Sequence, residues 1–596
     1  MAKINYKFCE DKVLYDSGDI EGEMLELYKQ GKNPEGGHFF YATTPVRENI
    51  INWYPFKKDA TILEVGGGLG SCTGALCREA KKVVSCEYSK RRAENIYYRH
   101  KDCDNLEVIV GNINNVKLED KFDYIILIGV YEYSKRFFQT EDPFSDFLNL
   151  LKSFLKPEGV ILIAIENRYG IKYWAGSTED HYGIKYLGLK NYDNHDIQTL
   201  GKRELIDIIE KAGFHYKFYY PYPDYKMPYV VHTDERLPLK SELSSLEIYN
   251  HGEQTYNFDY REVLGGLIDN DQYGFFANSF LVEISNKKSS LSNITFVKAF
   301  WSRSEKYQTM TTIDSHNNIK KIPKNVEVIP HLDLMCETHK NLANLGVNLS
   351  AIKKVGKNYL VEFIDGISLT EHIYNLAEEG KKDIVLKEIR AFYKILRSLA
   401  STGKVKKTIS KKASNYFSNK SVDILKIGLI DLHMGNIIKK GNKRYIIDQE
   451  WVVDYDIPLN YNLYFGIILL FDYIPKLELL FDKQALLKEY GITKKEIKIY
   501  HDMALYFSRE VFKNIDIETH KHFLSVSSIY TMDSKIGDLT LEATTSRQHL
   551  AASQSELTTV KSELTAKESE LEMFRNRKVI KIMDKVSAFK KALLNR

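Results

Sequence analysis

The sequence predicts an α/β protein in several parts: a doubly wound, mainly parallel sheet, then a two-lobed α+β domain, then a helical coiled coil at the C-terminus. Three observations carry this reading. Short apolar runs alternate with helical stretches between residues 61 and 166, a β meander precedes long helices from 294 to about 530, and a leucine recurs every seventh position near the end. A chain of 596 residues exceeds what one hydrophobic core serves, and at ~100 to 200 residues per domain it should form three or four units. With 43% hydrophobic and 28% charged residues it has a globular composition, which excludes a disordered, collagenous or membrane-spanning chain.

In order, TILEV (61–65), a helix over 75–80, KVVSCEY, a helix over 91–99, LEVIVG, FDYIILIG and GVILIAIE give the strand–helix alternation of a parallel sheet. NSFLVEIS (278–285) is the expected last strand, closing a first domain over 1–287. After the polar linker NKKSSLSN, the runs ITFVKAFW, YQTMTTID and IKKIP read as a three-stranded meander, with a helix over about 326–343. From Tyr359 a strand and bend lead into long helices with a strand-rich insertion at 430–451, so a second domain spans 288–530.

The last 60 residues differ from both. Leu550, Leu557, Leu564 and Leu571 fall at heptad spacing, the last three within Ser-Glu-Leu copies, and Val560 and Phe574 partly fill a second seam. A coiled coil over 536–574 is expected; a solitary solvated helix is the alternative, because Ser553 and Lys567 occupy other seam positions. Beyond it, Val579, Ile582, Met583, Val586, Phe589 and Leu593 share one face of a basic amphipathic helix over 575–596. This segment carries a net charge of +7 while the rest of the chain carries −3. It suits an anionic membrane surface, or alternatively a partner protein.

The overall charge of +4 is too small for a dedicated nucleic-acid binder, so no nucleic-acid partner is expected. Six unpaired-looking cysteines and an N-terminus without an apolar signal core point to a reducing cytoplasmic compartment. No run is long and apolar enough to span a bilayer, so any membrane contact should be peripheral.

Glu64-Val-Gly66-Gly-Gly68-Leu-Gly70 closes a strand and opens a helix, with glycines where backbone must approach a ligand closely. Glu87 ends the next strand, where a carboxylate can grip a ribose diol. Gly111-Asn112-Ile113 and Gly129-Val-Tyr-Glu132 end the third and fourth. These four ordered motifs resemble a class I S-adenosylmethionine (SAM)-dependent methyltransferase of Rossmann-like fold over 41–285. The resemblance implies that Glu64, Gly66, Gly68 and Gly70 contact the methionine part, Glu87 the ribose, and Asn112 with Ile113 the adenine, with Gly129 beside them. The methyl acceptor should lie past the fourth and fifth strands, near Glu132, Tyr133 and the run from Glu166 to His181. There Arg168, Lys172 and His181 are candidate phosphate-holding cations, unless they serve as ordinary caps and surface pairs. Tyr15, Arg47 and Trp53 are candidates for a lid. An anionic acceptor needs no catalytic base.

Asp431-Leu-His-Met-Gly-Asn436-Ile-Ile, followed by Ile446-Ile-Asp448-Gln-Glu450-Trp451, sets two carboxylates and an amide at the spacing phosphoryl transfer uses. The string resembles the aminoglycoside-phosphotransferase and choline-kinase branch of the kinase fold. That resemblance implies Asp431 as the catalytic Asp, Asn436 and Asp448 as Mg2+ ligands, and ATP as cofactor. Residues 302–307 would cover the phosphates, and Lys321 would bind them, with Lys320 as rival by one register. Its helical partner would be Glu327 or Glu337, and Glu362 with Ile364 would lie in the adenine hinge. Leu429 stands where relatives have His and the covering loop lacks glycine, which leaves room for a degenerate kinase.

The order of parts resembles the bifunctional chain-terminating methyltransferase/kinases of bacterial O-antigen synthesis. It implies phosphorylation of the terminal sugar of a lipid-linked polysaccharide, then methylation of that phosphate. It also implies homo-oligomerisation through the coiled coil, a polysaccharide polymerase or glycosyltransferase as partner, and a place at the inner face of the cytoplasmic membrane. The alternatives are a glycan hydroxyl methyltransferase with a pseudokinase domain, a membrane scaffold, and a protein or RNA methyltransferase.

Overall fold

The computed structural model describes residues 1–10, 19–245, 256–300, 303–512 and 532–594. The chain divides into two compact units, residues 1–254 with 259–529, and residues 255–258 with 530–596.

The first unit is organised by one 14-stranded sheet. Its strands are β1 (Lys3–Phe8), β2 (Thr61–Val65), β3 (Lys82–Glu87), β4 (Leu106–Gly111), β5 (Phe122–Ile128), β6 (Leu155–Glu166), β7 (His215–Tyr222), β8 (Val230–His232), β9 (Ser279–Ser285), β10 (Ile294–Ala299), β11 (Thr309–Asp314), β12 (Ile319–Pro323), β13 (Ile352–Val355) and β14 (Asn358–Val361). The spatial order is β1-β4-β3-β2-β5-β6-β9-β7-β8-β10-β11-β12-β14-β13. Pairing is parallel from β1 to β6 and antiparallel from there on. The parallel strands are continuous apolar runs because helices cover both faces, as in any doubly wound sheet.

Four strands absent from the sequence reading complete this sheet, β13 at one end and β1, β7 and β8 elsewhere. β1 adds an edge next to β4. β7 pairs with β9 through His215–Tyr219 and with β8 through Tyr220–Tyr222. β8 in turn pairs with β10, Val231 opposite Val297, so the sheet crosses the expected 287/288 boundary without a break in pairing. β9 is therefore an interior strand, placed between β6 and β7. Its Glu283 is fully buried, yet its oxygens accept hydrogen bonds from Tyr54 Oη (2.5 Å), Tyr219 Oη (2.8 Å) and the Ser292 amide (2.6 Å). A buried carboxylate held by three donors keeps its desolvation cost bearable and ties the 286–293 connection to the sheet.

The expected meander is present as β10, β11 and β12, followed by a helix, Ile329–Ala343, and by a hairpin of β13 and β14. Helices Leu369–Glu378, Lys382–Ser398, Leu459–Tyr473 and Lys494–Val511 then pack round Phe392, Phe417, Tyr461, Ile467 and Met503, all with no more than trace exposure. A small sheet of Ile367–Ser368, Ile437–Lys440 and Lys443–Ile446 flanks the Asp431 segment.

In the second unit, residues 532–594 form a single 63-residue helix, Met532–Leu594, unbroken at the expected 574/575 division. Leu550, Leu557, Leu564 and Leu571 are 55–61% exposed along it, and the apolar stripe from Val579 to Leu593 is exposed as well. No described helix is long and apolar enough to cross a membrane.

Candidate functional site

A cavity of about 580 Å3 opens at the carboxyl ends of β2, β3, β4 and β5, where ligands bind in open α/β sheets. The turn after β2 places Gly66 (φ 69°) and Gly68 (φ 56°) in its wall, both in left-handed backbone that favours glycine. A Cβ on Gly66 would sit 2.6 Å from Val130 Cγ2, whereas one on Gly68 would meet nothing within 4 Å. Gly68 thus leaves room for a ligand, and Gly66 permits close packing beneath it. Gly70 lies behind the turn, where its carbonyl accepts a hydrogen bond from His100 Nε2 at 2.8 Å.

Glu64, buried in the wall, faces Ser85 across the β2–β3 register. Its Oε2 accepts from Ser85 Oγ (2.6 Å) and Thr73 Oγ1 (2.7 Å). Burial still raises its pKa, against the pull of those two hydroxyls. Glu87 is held by backbone: Oε2 accepts from the Gly68 amide and Oε1 from the Ser89 amide, each at 2.9 Å. Burial raises its pKa too, with Arg92 opposing. Asn112 and Ile113 line the wall after β4, and Asn112 Oδ1 accepts from the Asn114 amide at 3.1 Å. Gly129 (φ 69°) follows β5, and a Cβ there would lie 2.6 Å from Tyr225 Oη.

Of the three cations proposed for the acceptor end, only His181 lines this cavity. Arg168 is buried, and its guanidinium donates to Thr199 O (3.0 Å), Asn191 Oδ1 (2.8 Å) and Glu204 Oε1 (3.1 Å). Lys172 is committed to Asp180 (3.0 Å) and Asp224 (3.7 Å). Both side chains hold the loop together rather than face a ligand. A further cation at this end of the cavity is Lys226, bound to Glu166 (2.7 Å) and Asp180 (2.5 Å), with Tyr225 beside it. The aromatic, proline-rich run Tyr220-Pro-Tyr-Pro-Asp-Tyr-Lys226 was the available signal, but no motif marks it. His181 Nδ1 lies 2.9 Å from Glu179 Oε1, and its Nε2 lies 3.5 Å from Glu132 Oε1. Burial alone would lower its pKa; Glu132 and Glu179 outweigh that and raise it to about 10. Arg47 lines the cavity with its guanidinium 4.4 Å from the Tyr41 ring centroid, while Trp53 packs in the core against Tyr219. Tyr15 lies outside the described residues.

The Asp431 segment gathers a second constellation. Asn436 Nδ2 donates to Asp431 O (2.9 Å), and Lys321 binds Asp448 and Glu450 (2.6 Å). Lys321 is buried, and it, rather than Lys320, is the lysine of β12 that reaches these carboxylates. Glu327 and Glu337 are both exposed; the glutamate paired with Lys321 is Glu450, which Arg303 also binds at 2.8 Å. Burial would raise the Glu450 pKa, but Lys321 and Arg303 hold it well below the carboxylate range. Burial, then the charges of Asp448 and Glu450, pushes Asp431 up to about 7. Ser302 of the expected covering loop lies outside the described residues. Ile364 is buried, and Glu362 is exposed, with its backbone joined to Ala351 at 2.8 Å.

The doubly wound sheet and the cavity at its strand ends give the N-terminal part a Rossmann-like α/β fold. Residues 56–189 match a family model described as a methyltransferase domain. The chain is 29% identical over 106 residues to a probable ribosomal RNA small subunit methyltransferase A of Methanosarcina mazei, covering 17% of this chain and 39% of that protein. It is 29% identical over 126 residues to a tRNA (guanine-N(7)-)-methyltransferase of Mycoplasma mobile, covering 20% of this chain and 63% of that protein. It thus spans less than two thirds of either relative. Among solved structures, the CcbJ methyltransferase from Streptomyces caelestis aligns with a TM-score of 0.28 and 13% identity, covering 46% of this chain and 99% of that one.

Proposed function

We propose that this chain binds SAM in the cavity at the ends of β2 to β5 and transfers its methyl group to a phosphate that the Asp431 site has placed on a terminal sugar. The glycine turn, with Glu87 clamped by the Gly68 and Ser89 amides, supports SAM as the ligand. The observation that carries the second activity is the gathering of Lys321, Asp448, Glu450, Asp431 and Asn436 at one place from segments over a hundred residues apart. Asp431 would accept the sugar hydroxyl proton, Asn436 and Asp448 would hold Mg2+, and Lys321 would leave Asp448 to bind the ATP phosphates. The product, a phosphomonoester, is the anionic nucleophile that methyl transfer without a base requires. In this reading the two steps cap a lipid-linked bacterial surface polysaccharide and end its growth. The long helix then oligomerises the enzyme, and its basic end holds it on the inner face of the cytoplasmic membrane beside the polymerase.

The relatives named as RNA methyltransferases match over only 106 and 126 residues, so they support methyl transfer and leave the acceptor open. The runner-up is direct methylation of a glycan hydroxyl, with the Asp431 region serving as a scaffold. Incubating the protein with lipid-linked polysaccharide and labelled SAM, with and without ATP and Mg2+, separates the two. Methyl incorporation that requires ATP supports capping of a phosphate; equal incorporation without ATP supports the runner-up.

A further inference from the structure

The acceptor end of the cavity is acidic, which is an odd surface to offer a phosphate. Glu132 and Glu166 are both buried in its wall, with Asp180 next to them. One oxygen of Glu132, one of Glu166 and one ring nitrogen of His181 all lie within 4.8 Å of one another. Oε2 of each glutamate is buried and has no hydrogen-bond partner. Buried carboxylate oxygens without donors are costly, and although Lys226 binds the other oxygen of Glu166, an Oε2 on each glutamate still lacks a partner.

The surroundings prepare these groups as ligands for a cation. Lys226 and Tyr225 bind Glu166 through Oε1 (2.7 and 3.3 Å), which leaves Oε2 open. Glu179 takes the Nδ1 side of His181 at 2.9 Å, which orients the ring so that Nε2 faces Glu132. A carboxylate on the far nitrogen is the usual support of a metal-bound histidine. We infer that Glu132, Glu166 and His181 form a binding site for a divalent cation of the Mn2+ or Mg2+ class, which receives an oxygen of the methyl acceptor. Two carboxylates and one imidazole suit such an ion and leave coordination positions for water or acceptor.

The role of the ion rests on the proposed phosphate acceptor; its binding does not. It would convert a wall that repels phosphate into one that holds it. The acceptor oxygen's lone pair then forms the O–CH3 bond as the C–S bond breaks, and the electron pair stays on sulfur to give S-adenosylhomocysteine. A phosphate dianion has no proton to lose in this step.

The test uses Mn2+ as probe on the full chain carrying Asp448→Asn, without nucleotide, so that the second constellation does not contribute. Mn2+ titration followed by electron paramagnetic resonance should show one saturable site, and its spin-echo spectrum should carry modulation from a directly bound imidazole nitrogen. Adding His181→Gln should remove that modulation, and adding Glu179→Gln should weaken Mn2+ binding at least ~10-fold, the usual range for loss of such a supporting group. Melting curves identify any variant that fails to fold, and the unsubstituted ligand set still reports through its nitrogen modulation. Absence of saturable binding would overturn the site and mean that Lys226 and a protonated His181 alone balance the glutamates. Binding without nitrogen modulation would overturn it equally. ATP-independent methylation would instead defeat the phosphate reading while leaving Mn2+ binding intact.

Discussion

Gly66 and Gly68 make a paired test of the cofactor turn. Both occupy left-handed backbone, so alanine at either costs about 1–2 kcal/mol in strain. At Gly68 that is the whole structural cost, because the new Cβ meets nothing within 4 Å. A melting temperature lowered by roughly 2–4 °C per kcal/mol is expected in a domain of this size. The open space is the cavity, however, and a methyl group there intrudes on a bound ligand. Gly68→Ala should therefore lose at least ~10-fold in affinity for S-adenosylhomocysteine, about 1.4 kcal/mol. At Gly66 the Cβ falls 2.6 Å from Val130 Cγ2 and 3.3 Å from Cγ1. Rotating a β-branched side chain only exchanges one methyl for another, so overpacking adds about 1–3 kcal/mol. Gly66→Ala should thus be the more destabilised variant, and Gly68→Ala should lose affinity while destabilised only by the backbone strain. Scanning fluorimetry and calorimetric titration with S-adenosylhomocysteine read the two effects. Unchanged affinity in Gly68→Ala, or equal melting points for the two variants, would refute the geometry assigned to the turn.

Other outcomes follow from particular groups. Burial lowers the His100 pKa from about 6.5 to about 4, so the unfolded chain takes up a proton in that interval while the folded chain does not. His100 should contribute full stability above pH 6.5 and lose about 2–3 kcal/mol as pH falls toward 4; in denaturant melts, His100→Gln should flatten this part of the profile. Asp431→Ala should abolish phosphate transfer from ATP while retaining S-adenosylhomocysteine binding, and loss of both would indicate misfolding instead. Removing residues 575–596 deletes a net charge of +7, each worth about 1 kcal/mol near an anionic surface. Flotation with phosphatidylglycerol vesicles should then be lost, and undiminished flotation would contradict a membrane-binding tail.

The parallel half of the sheet and the glycine turn were legible because their signals are local. Continuous apolar runs such as TILEV and FDYIILI mark strands buried on both faces, and Gly66 and Gly68 sit where the chain needs left-handed backbone. β7 and β8 were not legible: β8 is only three residues long, and its role depends on meeting Val297, 66 positions after Val231. The acceptor end was legible only in part, for the same reason. Arg168 and Lys172 look like free cations in sequence, but their partners Glu204 and Asp224 arrive from distant segments. Lys226, which does reach the cavity, lies 60 positions from Glu166 and belongs to no motif. Lys321 was legible from strand alternation, yet its partner Glu450 was sought on a helix, although it stands two residues after Asp448.

The proposed function is an ordered pair of reactions, methylation at the β2–β5 cavity of a phosphate made at the Asp431 site. The most direct test compares wild type with Asp431→Ala for methyl transfer from labelled SAM to lipid-linked polysaccharide, with ATP and Mg2+ present. Methyl label is expected on wild-type product only, restored to Asp431→Ala when the polysaccharide has first been phosphorylated by wild-type enzyme. Equal labelling by both proteins on untreated polysaccharide would contradict it.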